Sequence, residues 1–188
     1  MRELEEKILK DGKILDNDIL VVGAFLNQNI DINLLKSMAK EVKAHFDVKV
    51  DKVITVEASG LPFATAIAME YGCDMIFAKK SLTSNVKGNV VSAPLKSFTH
   101  KNEVNIVINK DYVKPKEKVL IVDDFLALGN ACLALLDLSR QADLEVVGFS
   151  VCVEKEYQKG GNKLREMGYD VFSLARIKSM DKNKIIFK

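Results

Sequence analysis

Asp123 and Asp124 stand side by side where an apolar run, Val119-Leu120-Ile121-Val122, gives way to Phe125-Leu126-Ala127-Leu128-Gly129-Asn130-Ala131. Adjacent carboxylates can accept hydrogen bonds from a diol, approach a divalent cation or manage a proton. Four apolar residues without polar alternation suit a central parallel strand covered on both faces, which the acidic pair is expected to end. Beyond Gly129, residues Ala131, Leu135, Leu138 and Ala142 recur at helical spacing and mark an amphipathic helix. Strand, acidic turn, glycine and helix in this order aim the helix's first N–H groups at the carboxyl end of the strand. In open α/β sheets that crevice takes ligands, and a helix N-terminus there takes phosphate. Two negative charges beside a bare phosphate would repel it. Ribose hydroxyls donating to the carboxylates, with Mg²⁺ neutralising a pyrophosphate, reconcile the two. The ligand implied is a phosphorylated ribose carrying further phosphate. An Asp-Asp pair that only closes a strand and caps a helix is the alternative, but it does not explain why run, pair, glycine and periodic helix occur together.

Other elements must reach the same edge. Residues 53–56 read as a second apolar strand, followed by Glu57-Ala58-Ser59-Gly60 and a helix with Pro62 in its first turn and Gly72 at its end. Small residues at Ser59 and Gly60 let the backbone approach a charged ligand. A third strand, 75–78, ends in Lys79-Lys80, two cations at the ligand edge. Residues 81–89 are polar and aperiodic and read as a mobile lid. Residues 90–91 and 95–99 are expected as short antiparallel strands flanking Pro94, with a further strand over 104–108. An apolar strand over 146–153 puts Glu154-Lys155 at the carboxyl edge, although Glu-Lys-Glu alone would read as solvated charge. Gly160-Gly161 opens a short helix, and 171–174 and 184–187 supply peripheral strands.

Upstream, residues 2–10 form a helix with Leu4, Ile8 and Leu9 on one side. Residues 16–26 are extended or looped, an apolar wall with a polar end at Asn27-Gln28-Asn29, which suits a small-molecule pocket as well as an ordinary strand and helix cap. Ile32, Leu35, Met38, Ala39, Val42 and Phe46 then mark an amphipathic helix. His45 near its end has no other ligand beside it and is assigned a helix-end role.

Residues 119–131 resemble the phosphoribosyl pyrophosphate (PRPP) signature of the type I purine phosphoribosyltransferase family. Residues 25–31, 56–60, 77–80, 153–155 and 173–177 resemble further segments of that family in the family's order, so the similarity spans nearly the whole chain. The resemblance implies an α/β type I phosphoribosyltransferase fold, a parallel sheet with helices on both faces and a small hood. It implies transfer of ribose 5-phosphate from PRPP to a purine, with xanthine expected, and a homodimer. Asp123 and Asp124 would hold the ribose hydroxyls. The backbone of Ala127, Leu128, Gly129, Asn130 and Ala131 would hold the 5′-phosphate, and Ser59, Gly60, Lys79 and Lys80 the pyrophosphate. Leu20, Asn27 and Lys155 would meet the base. Mg²⁺ would arrive on PRPP and not in a protein metal site. Leu128 departs from the family pattern, which usually has a polar residue there, and removes one side-chain contact to the 5′-phosphate.

Composition sets limits. The 188 residues are expected to form a single domain over 1–188, with a lid and hood around 79–100, and to bury roughly 70% of the unfolded surface. A formal charge of +2, from 28 basic and 26 acidic residues, supplies no general attraction to nucleic acid or membrane. Cys73, Cys132 and Cys152 are odd in number and lack metal spacing, so reduced thiols are expected. No apolar run approaches the roughly 18 residues of a membrane span, and a cytoplasmic location is expected. Alternatives are another purine or orotate transferase, or a PRPP-sensing purine regulator. Regulators of that kind carry a winged helix of roughly seventy residues, whereas 26 residues precede the purine-site-like segment here; an enzyme is therefore expected.

Overall fold

The chain is described by a computed structural model over residues 1–15, 18–80, 88–96, 103–181 and 184–188. Most of the expected lid, residues 81–87, lies outside the described residues, as do 97–102.

Five parallel strands carry the architecture: β3 (Lys52–Val56), β4 (Asp74–Ala78), β7 (Lys118–Leu126), β8 (Glu145–Lys155) and β9 (Val171–Asp181). The antiparallel β10 (Lys184–Phe187) closes one edge, giving the spatial order β10-β9-β8-β7-β3-β4. Apolar side chains alternate between two cores. Val53, Leu120, Val122 and Cys152 face one layer, where α1 (Arg2–Asp11), α2 (Ile32–His45) and α3 (Leu61–Tyr71) supply Leu4, Ile8, Met38, Val42, Phe63 and Ile67. Ile54, Val119, Ile121, Phe149 and Val151 face the other, where α4 (Asn130–Gln141) and α5 (Gly160–Glu166) supply Leu135, Leu138 and Leu164. Burial on both faces explains the unbroken apolar runs.

A second, two-stranded sheet pairs β5 (Val90–Lys96) antiparallel with β6 (Glu103–Asn109). It packs Ala93, Leu95, Ile106 and Ile108 onto the α4 side and meets β4 through a bridge between Lys79 and Val107. Two short strands flanking Pro94 were expected; one continuous strand runs through it. Proline lacks the N–H that a central strand needs, but β5 is an edge and tolerates it. A third sheet is the hairpin of β1 (Lys13–Leu15) and β2 (Ile19–Val21), part of the segment expected only as extended or looped. After Val22 the chain turns through a wide helical loop, Gly23–Asn27, that buries Phe25 and Leu26. Two further expectations are corrected. Leu9 is 59% exposed, because Leu4 and Ile8 alone share the buried face of α1. The acidic pair does not end β7, which continues to Leu126 because β8 is long enough to pair with it throughout.

The chain order reverses between β7 and β3: β8 and β9 extend the sheet on one side, β4 on the other. Ligands of doubly wound sheets bind at the carboxyl ends of strands flanking such a reversal. His45 closes the opposite region, stacking on Phe172 and bonding Asp170 at 2.8 Å.

Gly148 lets Phe46 reach the sheet, since a Cβ there would stand 2.4 Å from the Phe46 ring and 3.0 Å from the Asp170 carbonyl. Gly148→Ala should cost about 1–3 kcal/mol by overpacking, lowering the urea midpoint. An unchanged midpoint would show that Phe46 moves aside freely.

Candidate active site

The carboxyl ends of β3, β7 and β8 open onto a cavity of about 920 Å³. Leu20, Ser59, Lys80, Asp123, Asp124, Ala127, Leu128, Gly129, Asn130, Ala131 and Lys155 line it. Residues from five separated stretches of sequence therefore converge. Asn27 and Gly60 do not line the cavity but stand behind it. Lys79 lines a separate cavity of about 500 Å³ with Lys52, Phe77 and Tyr112.

The acidic pair is nearly out of solvent, Asp123 at 5% and Asp124 at 6% exposure. Asp124 is held from three sides. Its Oδ1 accepts from the Ser59 hydroxyl at 3.0 Å and from the Phe125 amide at 3.0 Å, and its Oδ2 from the Asn27 amide at 3.1 Å. Asp123 Oδ1 accepts from the Asp124 amide at 2.9 Å. Burial, then the charge of Asp124, pushes the Asp123 carboxyl well above the usual carboxylate range. The pair thus carries one charge more readily than two. Burial also raises the thiols of Cys132 and Cys152 behind it, with the aspartates adding to the effect. They are inert packing, not nucleophiles.

Beside the pair, Gly60 passes so close to β3 and β7 that a Cβ would stand 2.3 Å from the Thr55 hydroxyl and 3.1 Å from Asp123 Oδ1. Its partner loop ends in Gly129, whose φ of +86° is a left-handed conformation that favours glycine. The amides of an α-helix's first turn have no carbonyl one turn earlier to bond. The first turn of α4 lines the cavity through Asn130, Ala131 and Cys132, which makes it a candidate anion cradle. Leu128, 38% exposed, lies over this cradle and adds no polar atom.

Several contributors gave no clear signal in sequence. Glu57 lines the cavity and accepts from the Lys80 amide at 2.7 Å, fixing the end of β4 to the loop after β3; position at a strand end was its only mark. Ile19 and Phe125 add apolar wall. Gly160 forms the floor under the cradle. Its amide donates to the Ala127 carbonyl at 3.0 Å, and a Cβ there would stand 2.3 Å from that oxygen and 2.6 Å from the Gly129 nitrogen. The Gly160-Gly161 pair had suggested only a helix start. Glu154, 1% exposed, anchors α5 by a two-pronged bond to Arg165 at 2.7 and 2.8 Å and accepts from the Ser173 hydroxyl at 2.5 Å. Burial would raise its carboxyl, yet these bonds outweigh burial and hold it below its ordinary range.

Comparison with known proteins agrees with this geometry. The family model described as "Phosphoribosyl transferase domain" matches residues 22–185. The chain is 40% identical to a xanthine phosphoribosyltransferase of Finegoldia magna over the full length of both, and 40% identical to one of Bacillus cereus, covering all of this chain and 95% of that protein. Among solved structures it is similar to an adenine phosphoribosyltransferase of Giardia lamblia, with a TM-score of 0.78 and 24% identity over 92% of this chain and 97% of that one. The corresponding enzyme of Saccharomyces cerevisiae gives 0.75 and 21%, over 93% and 99%. At such identity these two structures speak for the fold.

If Gly160 shapes the cradle from below, Gly160→Ala should weaken binding of ribose 5-phosphate roughly tenfold, the scale of one or two lost backbone hydrogen bonds. Titration calorimetry reads this directly, and an unaltered dissociation constant would remove Gly160 from the site.

Proposed function

This chain belongs to the phosphoribosyltransferase family, and on that premise we propose that it transfers ribose 5-phosphate from PRPP to xanthine, forming xanthosine 5′-monophosphate and releasing pyrophosphate. The observation that carries the reading is the buried Asp123-Asp124 pair beside the glycine-bounded start of α4, with Lys155 across the same cavity. Support for xanthine over adenine comes from full-length relatives at 40% identity and from Lys155, which offers only donors. Xanthine presents two carbonyl oxygens to such an edge and adenine none.

The reaction breaks the bond from the anomeric carbon to pyrophosphate oxygen and forms one to a purine nitrogen, whose proton departs. Positive charge develops on the ribose ring meanwhile, so orientation, exclusion of water and stabilisation of the leaving charge dominate. Asp124, fixed by Ser59, Asn27 and the Phe125 amide, accepts from the ribose hydroxyls without having to reorganise. The backbone of Ala127 to Ala131 holds the 5′-phosphate, and Lys80 and the loop at Ser59 and Gly60 face the pyrophosphate. Lys79 does not face it in this arrangement, because it lines the other cavity and its amide and carbonyl are both bonded to Val107, at 3.0 and 2.9 Å. Leu20, Phe125 and Lys155 bound the base.

Mg²⁺ belongs with PRPP in this reading. Among the described residues no group of three or more His, Cys, Asp or Glu is placed to hold a metal ion. The carboxylates that line the cavity, Asp123, Asp124 and Glu57, are hard oxygen donors. They suit an ion that keeps its waters and phosphate ligands instead of entering a closed protein cage. Mg²⁺ bound there would neutralise charge on the departing pyrophosphate. The family resemblance further supports a homodimer. The unpaired thiols of Cys73, Cys132 and Cys152 support a reducing, cytoplasmic setting, and no helix among the described residues is long and apolar enough to cross a membrane.

A panel of xanthine, guanine, hypoxanthine, adenine and orotate assayed with PRPP and Mg²⁺ tests the assignment, with xanthine expected to show the highest kcat/KM. A clear preference for adenine or orotate would overturn it. Replacing both aspartates, Asp123→Asn with Asp124→Asn, should abolish turnover while leaving the far-ultraviolet spectrum intact; retained turnover would remove the pair from the chemistry. Leu128→Asn should lower the KM for PRPP or leave it unchanged, by adding a donor over the phosphate cradle. A large rise would instead assign Leu128 a packing role.

A further inference from the structure

Asp18 sits just before β2 and far from the acidic pair in sequence, yet it is bound to the end of β8. Its Oδ1 accepts from the Tyr157 hydroxyl at 2.7 Å, and the Gln158 amide donates to Oδ2 at 2.8 Å and to Oδ1 at 3.1 Å. The Lys155 ammonium donates to the Asp18 backbone carbonyl and stands 3.9 Å from Oδ1. The Lys155 side chain is 8% exposed, that of Asp18 43%. Ile19 and Leu20, which follow directly, line the cavity on the same side as Lys155.

An ammonium has three donors, and one is occupied by the Asp18 carbonyl. The others remain for a ligand in the cavity. A lysine stem free in solution would lose rotamer freedom on meeting a base, whereas one already tethered does not. Burial disfavours the charged ammonium, and the Asp18 carboxylate acts in the opposite sense. The carboxylate cannot swing away, because Tyr157 and Gln158 hold both of its oxygens. One residue thus fixes a cation at the cavity wall and fixes the backbone from which the apolar wall begins.

We propose that Asp18 is a positioning residue for base recognition: it presents the Lys155 ammonium to the purine and docks the β1–β2 hairpin, carrying Ile19 and Leu20, against the end of β8. The inference rests on the reading of Lys155 as the base-facing lysine.

A double-mutant cycle tests it, using Asp18→Asn, Lys155→Met and the two combined, assayed with whichever base the wild-type enzyme turns over best. Asparagine keeps an acceptor for Tyr157 or Gln158 and removes only the charge. Asp18→Asn should raise the KM for the base about two- to fivefold, the scale of a partly exposed ion pair, while kcat and the KM for PRPP stay within error. In the Lys155→Met background the same substitution should change nothing further, since partners in one contact are not additive. Asp18→Ala, which also loses the bonds from Tyr157 and Gln158, should raise the KM for the base about tenfold. Effects of Asp18→Asn that are equal in the two backgrounds, or equal on base and PRPP, would overturn the proposal and leave Asp18 a structural tether. A wild-type preference for a base other than xanthine would refute the choice of base in the proposed function, while the cycle run on the preferred base still decides the role of Asp18.

Discussion

Two adjacent carboxylates almost removed from water are the constraint around which this molecule is arranged. An unsupported buried carboxylate is expensive, so each must be supplied with donors or kept neutral. Asp124 receives the first treatment, with donors from Asn27, Ser59 and the Phe125 amide. Asp123 receives one backbone donor and a raised proton affinity. The donors to Asp124 come from the loop before α2 and the loop after β3, so satisfying one side chain draws two segments to the end of β7. The cavity exists where those segments meet.

The end of β8 repeats the logic with opposite charges. Successive strand residues point to opposite faces, so Glu154 and Lys155 serve different layers. Glu154 turns toward α5 and is closed off by Arg165 and Ser173. Lys155 turns toward the β1–β2 hairpin and Asp18. Through Arg165, Glu154 steadies the short helix whose first glycine underlies Ala127 and Gly129. One dipeptide therefore supports the Ala127–Gly129 loop of the cavity through one face and the β1–β2 hairpin through the other. Truncating Arg165 would take the two-pronged bond from a carboxylate that is 1% exposed and leave it Arg176, at 3.3 Å, as its remaining ion-pair partner.

How much could be read in the sequence follows from the range of the interactions. Strands β3, β7 and β8 were legible because burial on both faces leaves continuous apolar runs, and α4 because its spacing is strictly helical. The glycine turn and helix start that line the cavity were legible for the same reason: Gly129 and the start of α4 are contiguous with the strand that positions them. Pro94 misled, since its lack of an amide signals a break only in a strand with neighbours on both sides, and β5 has one. Asp123 and Asp124 misled at the strand end because turn-forming residues can remain in a strand when a partner such as β8 continues alongside.

Contacts made by side chains across long separations left no local pattern. Asp18 meets Tyr157 across 139 residues and Gly160 meets Ala127 through a backbone approach that only the folded chain reveals. One side of the cavity is accordingly built from the consecutive residues Ala127 to Ala131, and the rest from Leu20, Ser59, Lys80 and Lys155, gathered from distant stretches. This division has a physical consequence. Amides at a helix start come with the local fold, whereas the position of Lys155 at the cavity wall depends on contacts such as the one it makes to the Asp18 carbonyl. A substitution in such a tether can therefore shift the Lys155 side of the cavity while the loop from Ala127 to Ala131 keeps its local geometry.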